Sequence, residues 1–470
     1  MKLSSAYRAI PEIIRGIPIE KLTLFAILIV GLFYLFIFPP NTAPDESTHL
    51  RSAYHNVGAI FGEVSEEAAD VAMRAADADM IDKYPDFPNS ATYELLGGEL
   101  FKPLPPGGGE IIDTIRETGV PHPYIYFPQT AGMLIARVFN LNAEWLFLLG
   151  RIFNLVFFAF SVWLSIKLAP FGKGVFAVIA LYPMAMHLAA SLNSDTYTIS
   201  LALLAFAQYL RIAYAEEPAR IRDLVLMLLT MALLSPPKVI FLPMMMLAFF
   251  LPGRCFSKKK TAVIFRLAVV GVFILTTFIT YYAYIHRGDG GAPIITFFDI
   301  EVYTLTDLIA DPVLFAKTCK RTLEVYLGYF LHSMIGSDLG WIEIPINKMV
   351  INVFLALSVI GAFRLTATER ILMIRDRVQF FSIFFLAALG TAVIMFVSWT
   401  PVGSWDIIGI QGRYFLPAFP LFILFAARWK KPVRPSWLSD KTLVLIACGL
   451  QVFVLVSAYL FISGRDPIIL

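Results

Sequence analysis

Charge is scarce in this sequence: only 16% of its 470 residues are Asp, Glu, Lys or Arg, where a soluble globular protein carries about a quarter. Cysteine is scarcer still. Cys255, Cys319 and Cys448 match neither a metal-ligand spacing nor a paired framework. The topology expected from loop charge puts them inside, outside and within a helix, which argues against a disulfide. His55, His122, His187, His286 and His332 show no ligand spacing either. The chain has no phosphate loop, no serine nucleophile elbow and no zinc motif. It also has no internal repeat and no low-complexity tract. No small-residue cleavage pattern succeeds the first apolar run, Leu22 to Phe38, which ends in Pro39-Pro40-Asn41. That run is therefore expected to be a retained helix. A net charge of only +3 gives no electrostatic footprint for nucleic acid.

Apolar residues are abundant: 58% are hydrophobic and 14% aromatic, with 41 Phe, and the mean hydropathy is +0.71. So much apolar surface must face something other than water, and lipid is the solvent that accepts it. The fold class expected is an all-α polytopic membrane protein, a single membrane domain over 1–470. About eleven crossings are expected, at 21–39, 144–168, 174–191, 196–214, 222–235, 238–251, 262–284, 346–363, 378–398, 414–428 and 442–463. The turn Ser235-Pro236-Pro237-Lys238 makes 222–251 a helical hairpin.

Segment 124–140 is apolar enough to suggest a further crossing. The positive-inside rule decides against it. Without it, every cytoplasmic segment is basic, for example Arg254/Lys258/Lys259/Lys260 and Arg428/Lys430/Lys431/Arg434. With it, all later loops invert. Segment 124–140 is therefore expected to be a re-entrant or interfacial helix, with the N-terminus cytoplasmic and the C-terminus outside. This topology leaves two large extracytoplasmic loops, 40–143 and 285–345. In the first, residues 41–123 hold fifteen Asp/Glu against five Lys/Arg. Residues 64–80 look helical there, and a half-buried helix is expected near 321–335 in the second.

Charged groups at the membrane boundary are expensive and point to function. One cluster, Pro44-Asp45-Glu46-Ser47-Thr48-His49-Leu50-Arg51, comes just after the first crossing. On a helix starting at Pro44, Asp45 and His49 share a face. The carboxylates could simply cap that helix. A half-desolvated carboxylate could instead act as a general base, or hold a divalent cation such as magnesium or manganese. These roles stay open. Other polar residues fall at the same level. Asn193 and Asp195 occupy a short outer turn, where capping is the alternative role. Lys238 tops the hairpin, and Arg413 comes after Gln411 at an outer helix end. Each cation could snorkel or grip a phosphate. Tyr124, Tyr126 and Gln129 lie on the interfacial segment, where Tyr124 suits an aromatic belt. Arg151 and Asn154 are expected to face the protein interior. A carboxylate for proton removal beside cations for phosphate is what transfer from a lipid-phosphate carrier requires.

Several motifs in order, Pro44-Asp45-Glu46 with His49 and Arg51, His122-Pro123-Tyr124 with Tyr126 and Pro128-Gln129, Ser191 to Asp195, Pro237-Lys238 and Gln411 to Pro417, resemble a large bacterial membrane-protein family of unknown function. That family is similar to the GT-C superfamily of glycosyltransferases. The resemblance implies a GT-C-like fold with juxtamembrane helices in the first extracytoplasmic loop. It further implies an inverting transferase that moves a sugar from a polyprenyl-phosphate donor to an extracytoplasmic glycan or lipid-linked acceptor. Asp45 matches the acidic position and is the expected general base, with Glu46 able to exchange roles. Lys238 and Arg413, with His49 and Arg51, would hold the donor phosphate. Tyr126, Gln129, Asn193, Asp195 and Gln411 would shape the sugar or acceptor pocket. The chain ends soon after its last helix, so acceptor recognition is expected from 52–121 and 285–345. The alternatives are a transporter or flippase of a lipid-linked sugar and a non-catalytic envelope-assembly protein.

Overall fold

The computed structural model describes residues 16–65, 70–115, 122–285, 300–364, 372–426 and 439–465. The chain is mostly helical. Its first helix, α1 (Ile19–Ile37), ends at Phe38, and α2 (Glu46–Phe61) begins after a short turn. Strands β1 (Asp70–Arg74) and β2 (Ile111–Ile115) pair antiparallel in the first long loop. Next come α3 (Phe127–Val138), α4 (Ala143–Leu168), α5 (Lys173–Ala180), α6 (Pro183–Ala189), α7 (Asp195–Ala213) and α8 (Ile221–Leu234). The second half holds α9 (Lys259–Ile285), α10 (Pro312–Ile335), α11 (Lys348–Arg364), α12 (Ile374–Trp399), α13 (Phe419–Ala426) and α14 (Asp440–Ile462).

Five described helices are long and apolar enough to cross a membrane: α1, α4, Lys259–Tyr282 within α9, α12 and α14. Three shorter apolar stretches accompany them, Val239–Phe249, Lys348–Phe363 and Gly412–Ala426. The expected set of about eleven crossings thus separates into long helices and short or broken ones, and the breaks have a common cause. The span expected at 174–191 is two helices, α5 and α6, interrupted before Pro183. Proline has no N–H to donate and its ring crowds the preceding turn. The span at 238–251 opens as a 3-10 turn, Val239–Met244, containing Pro243. The span at 414–428 opens as Gly412–Ala418, containing Pro417; residues 427–428 lie outside the described residues.

Backbone groups freed at a break inside lipid must find partners. At the α5–α6 break, Gln451 of α14 donates to the Leu181 carbonyl (2.6 Å) and accepts from the Tyr34 hydroxyl of α1 (2.7 Å). The Tyr182 hydroxyl meets Ser358 Oγ of α11 at 2.6 Å. One polar knot therefore closes the break and ties α1, α11 and α14 around it.

Segment 64–80 differs from the helix expected there. Residues 66–69 lie outside the described residues, and from Asp70 the chain forms β1 and then two one-turn helices, Ala75–Ala78 and Met80–Lys83. The consecutive buried residues Val71, Ala72, Met73 and Arg74 form a strand whose partner, β2, lies far along the chain. Segment 124–140 forms a 3-10 turn, Pro123–Tyr126, and then α3. At 12 residues α3 spans about 18 Å, short of a hydrocarbon core about 30 Å thick. The helix expected near 321–335 starts earlier, with Pro312 at its first position and Asp311 accepting from Leu314 N (2.8 Å).

Helix α4 is the hub, packed against α1, α3 and α7. It meets α3 at Gly132, where an added Cβ would lie 2.2 Å from the Leu149 carbonyl oxygen. The neighbour is backbone and cannot swing aside. Gly132→Val should separate the two helices and cost about 1–3 kcal/mol, as overpacking does. A thermal unfolding midpoint lowered by several degrees in detergent checks this; an unchanged midpoint would show that α3 is free to shift.

Candidate functional site

The turn from α1 into α2 is set by a buried ion pair. Arg151, two turns into α4, donates from Nε to Glu46 Oε1 (2.8 Å) and from Nη2 to Oε2 (2.6 Å). Its remaining N–H groups reach the carbonyls that end α1, Phe38 (2.6 Å) and Pro39 (2.9 Å). Glu46 also accepts from Leu192 N (2.9 Å), in the turn before α7. Glu46 is 0% exposed and Arg151 2%. Both oxygens of this carboxylate are already engaged, so Glu46 acts as an anchor, and the exchange of roles with Asp45 expected from the sequence has no room to occur.

Asp45 is placed differently. It precedes the first turn of α2 with φ 58°, in the left-handed region, which Asp tolerates better than most residues. Its side chain makes no capping hydrogen bond. The carboxylate is half exposed and accepts from Arg413 Nη2 at 3.1 Å. Capping, the alternative role raised by the sequence, is not what this carboxylate does.

Asp195 opens α7. The capping work there falls to Asn193, whose Oδ1 accepts from Asp195 N (2.7 Å) while its Nδ2 donates to the Pro44 carbonyl (3.2 Å). The Asp195 carboxylate is left for cations. Lys238 Nζ contacts Oδ1, and Arg413 Nε lies 3.6 Å from Oδ2. Asp45, Asp195, Lys238 and Arg413 thus form one chain of alternating charge from four distant segments. Tyr414 lies beneath both cations, its ring centre 5.7 Å from Lys238 Nζ and 5.6 Å from the Arg413 guanidinium carbon.

Arg413 is held firmly but incompletely satisfied. Gly412 beside it packs so closely on α10 that a Cβ would lie 2.4 Å from Met334 N and from the Phe330 carbonyl oxygen. The Arg413 side chain is 5% exposed, yet neither Nε nor Nη1 donates a hydrogen bond. A narrow pocket adjoins it, lined by Pro44, Tyr329, Ser333, Asp338 and Gln411. A buried guanidinium with idle donors is costly unless an acceptor arrives.

The other expected residues take supporting positions. Gln129 is buried and donates to the Leu192 carbonyl (3.1 Å), pinning the turn that carries Asn193. Asn154 of α4 donates to the Ser191 carbonyl of the same turn (2.7 Å). Tyr126 is buried and its hydroxyl lies 2.7 Å from His49 Nδ1. Tyr124 packs edge-on against Tyr197. Arg51 has no ion pair or hydrogen bond to the cluster, and its Nε is buried without a partner. Burial pulls His49 down to about 3; Asp45 opposes this, and Arg413 and Lys238 reinforce it. Burial therefore favours the neutral imidazole at His49, whose ring can still donate one N–H.

Among the described residues, no group of three or more His, Cys, Asp or Glu is gathered as a metal site. The donor set also fits a divalent ion poorly, because Asp45 and Asp195 are each already paired with Arg413 or Lys238. The three cysteines are free. Arg151 is recognisable in the sequence as an interior residue, but its partner is not. Tyr414 belongs to the Gln411 to Pro417 motif, and nothing in that spacing reveals its place beneath two cations.

Two measurements test these placements. Arg151→Ala leaves Glu46 charged and unpaired in the interior, which costs about 3–5 kcal/mol; loss of folded protein in size-exclusion profiles checks this, and a normal profile would show that water reaches Glu46. The second concerns pH. An unfolded histidine titrates near 6.5, while His49 in the fold does so near 3. Its contribution to stability is therefore complete above about pH 6.5 and is lost as pH falls toward 3. His49→Gln should flatten the fall in unfolding temperature between about pH 7 and 5; an equally steep fall would assign the effect to other groups.

A family model described as "Predicted membrane protein (DUF2142)" matches residues 28–422. No curated protein matches the chain, and no solved structure does.

Proposed function

The chain belongs to the DUF2142 family of predicted membrane proteins, and from that premise we propose that it is an inverting, GT-C-type glycosyltransferase of the extracytoplasmic membrane face. It would move a sugar from a polyprenyl-phosphate donor to a glycan or lipid-linked acceptor. One observation carries this: Asp45, Asp195, Lys238 and Arg413 meet in a single cluster in which Arg413 keeps buried donors without acceptors. A scaffold protein needs no such convergence.

The donor phosphate takes the idle Arg413 donors and shares the charge of Lys238. Both cations then stabilise the negative charge that grows on the leaving phosphate. The acceptor hydroxyl attacks the anomeric carbon from the face opposite the phosphate. The new C–O bond forms as the sugar–phosphate bond breaks, the electron pair leaves with the polyprenyl phosphate, and the hydroxyl proton passes to Asp45. No covalent sugar–enzyme intermediate arises and no step uses a metal. His49 lies one turn along α2 from Asp45, with the Tyr126 hydroxyl 2.7 Å from its Nδ1.

One feature favours the second reading, a transporter or flippase of the same lipid-linked sugars: the α5–α6 break, a device such proteins use. Turnover separates the two. Protein in lipid nanodiscs with a panel of polyprenyl-phosphate sugars should release polyprenyl phosphate. Asp45→Asn should lower that release by at least about a hundredfold, the scale of general-base catalysis, with unfolding temperature unchanged. Arg413→Ala should raise the donor KM. No release from any donor with candidate acceptors present would move the assignment to transport. Full activity of Asp45→Asn would remove the base assignment.

A further inference from the structure

The first long loop encloses a crevice that the Asp45–Arg413 cluster does not use. Its volume is about 510 Å³, inside the range of about 300–1,000 Å³ usual for small-molecule sites. Asp79, Asp82, Lys83, Glu99, Lys102 and Glu144 line it. Its walls are braced. Lys83 bridges Glu144 (2.7 Å) and Glu99 (3.1 Å), and Lys102 holds the other Glu99 oxygen (2.7 Å). Asn142 donates to the carbonyls of Glu99 (3.0 Å) and Lys102 (2.8 Å) while its Oδ1 caps α4 at Trp145 N (3.0 Å). Walls held in this way would lose little further freedom on binding a ligand.

The crevice is also tied to the reacting centre. Glu144 and Arg151 lie on the same helix, seven residues or about 10 Å apart along its axis, and Arg151 holds Glu46, the neighbour of Asp45. From the other side, Asn41 donates to the carbonyls of Ile81 (3.1 Å) and Tyr84 (2.9 Å), fixing the Met80–Lys83 turn to the segment that leads into Asp45.

Charge narrows what fits. Four carboxylates face two lysines, and both lysines are already paired with carboxylates. Asp79 and Asp82 are exposed, and their carboxylates have no ion-pair or hydrogen-bond partner among the described residues. The wall therefore offers many acceptors and no spare cation. Carboxylates accept from hydroxyl groups, and an anionic ligand would be repelled.

We propose that this crevice is the acceptor subsite, and that it takes the sugar units behind the reacting hydroxyl of a neutral oligosaccharide. The assignment rests on the transferase reading, and supplies an acceptor class where that reading leaves one open. Glycans bearing uronic acids are excluded.

The test is binding without donor, to an array of neutral and uronic-acid oligosaccharides, by purified protein in nanodiscs. Wild type should bind neutral oligosaccharides and leave the acidic ones. The double variant Asp79→Ala/Asp82→Ala, whose sites are exposed, should keep its unfolding temperature and bind at least about tenfold more weakly, the loss expected for two hydrogen-bond acceptors. No binding to any neutral glycan, a preference for acidic ones, or undiminished binding by the double variant would each overturn the assignment. Those failures with Asp45-dependent release intact would leave the transferase reading standing. Glycan binding retained without any release would do the reverse.

Discussion

The guanidinium of Arg151 is bonded at once to the Glu46 carboxylate and to the closing carbonyls of α1. Through Glu46 it also reaches the turn before α7. One side chain thereby fixes the end of one helix, the start of the next and the loop that carries Asn193. The position of Asp45 depends on all three. Neither member tolerates loss of the other, because each would be left as a bare charge in a medium that solvates it poorly. The desolvation cost is met by geometry: every oxygen and nearly every N–H has a partner.

The working cluster is built on the opposite principle. Asp45 is half exposed, Arg413 retains donors without acceptors, and Lys238 is only partly covered. Close packing surrounds it: Gly412 lies hard against α10, and Gln129 and Asn154 hold the 191–193 turn by its carbonyls. Rigid surroundings with incompletely satisfied groups at the centre suit a site that must receive a charged ligand without rebuilding itself.

How much of this was legible in the sequence depends on the range of each interaction. The long helices were: α4, α7 and α14 begin and end within two residues of the expected 144–168, 196–214 and 442–463, because a continuous apolar run has few other ways to satisfy its backbone in lipid. The breaks at Pro183, Pro243 and Pro417 were visible as prolines, yet their apolar surroundings read as unbroken spans. The pairing of β1 with β2 was hidden because the partner strand is remote in sequence. Asp45, Asp195, Lys238 and Arg413 stood out because charge at the membrane surface is costly. The Glu46–Arg151 bond could not be read, since nothing local connects residues 105 positions apart. The crevice residues were equally hidden, being ordinary surface charges in sequence.

The backbone at Asp45 carries one more implication. With φ at 58° and ψ at 22°, it occupies a conformation open to Asn and Asp and strained by about 1–3 kcal/mol for most other side chains. Shape and charge are therefore separable at this position. Asparagine alters the charge while the turn keeps its form. Glutamate keeps the charge but must work against the turn, so the exchange that looks conservative on paper disturbs the geometry more. Drift at this residue is confined by its backbone before its chemistry is consulted.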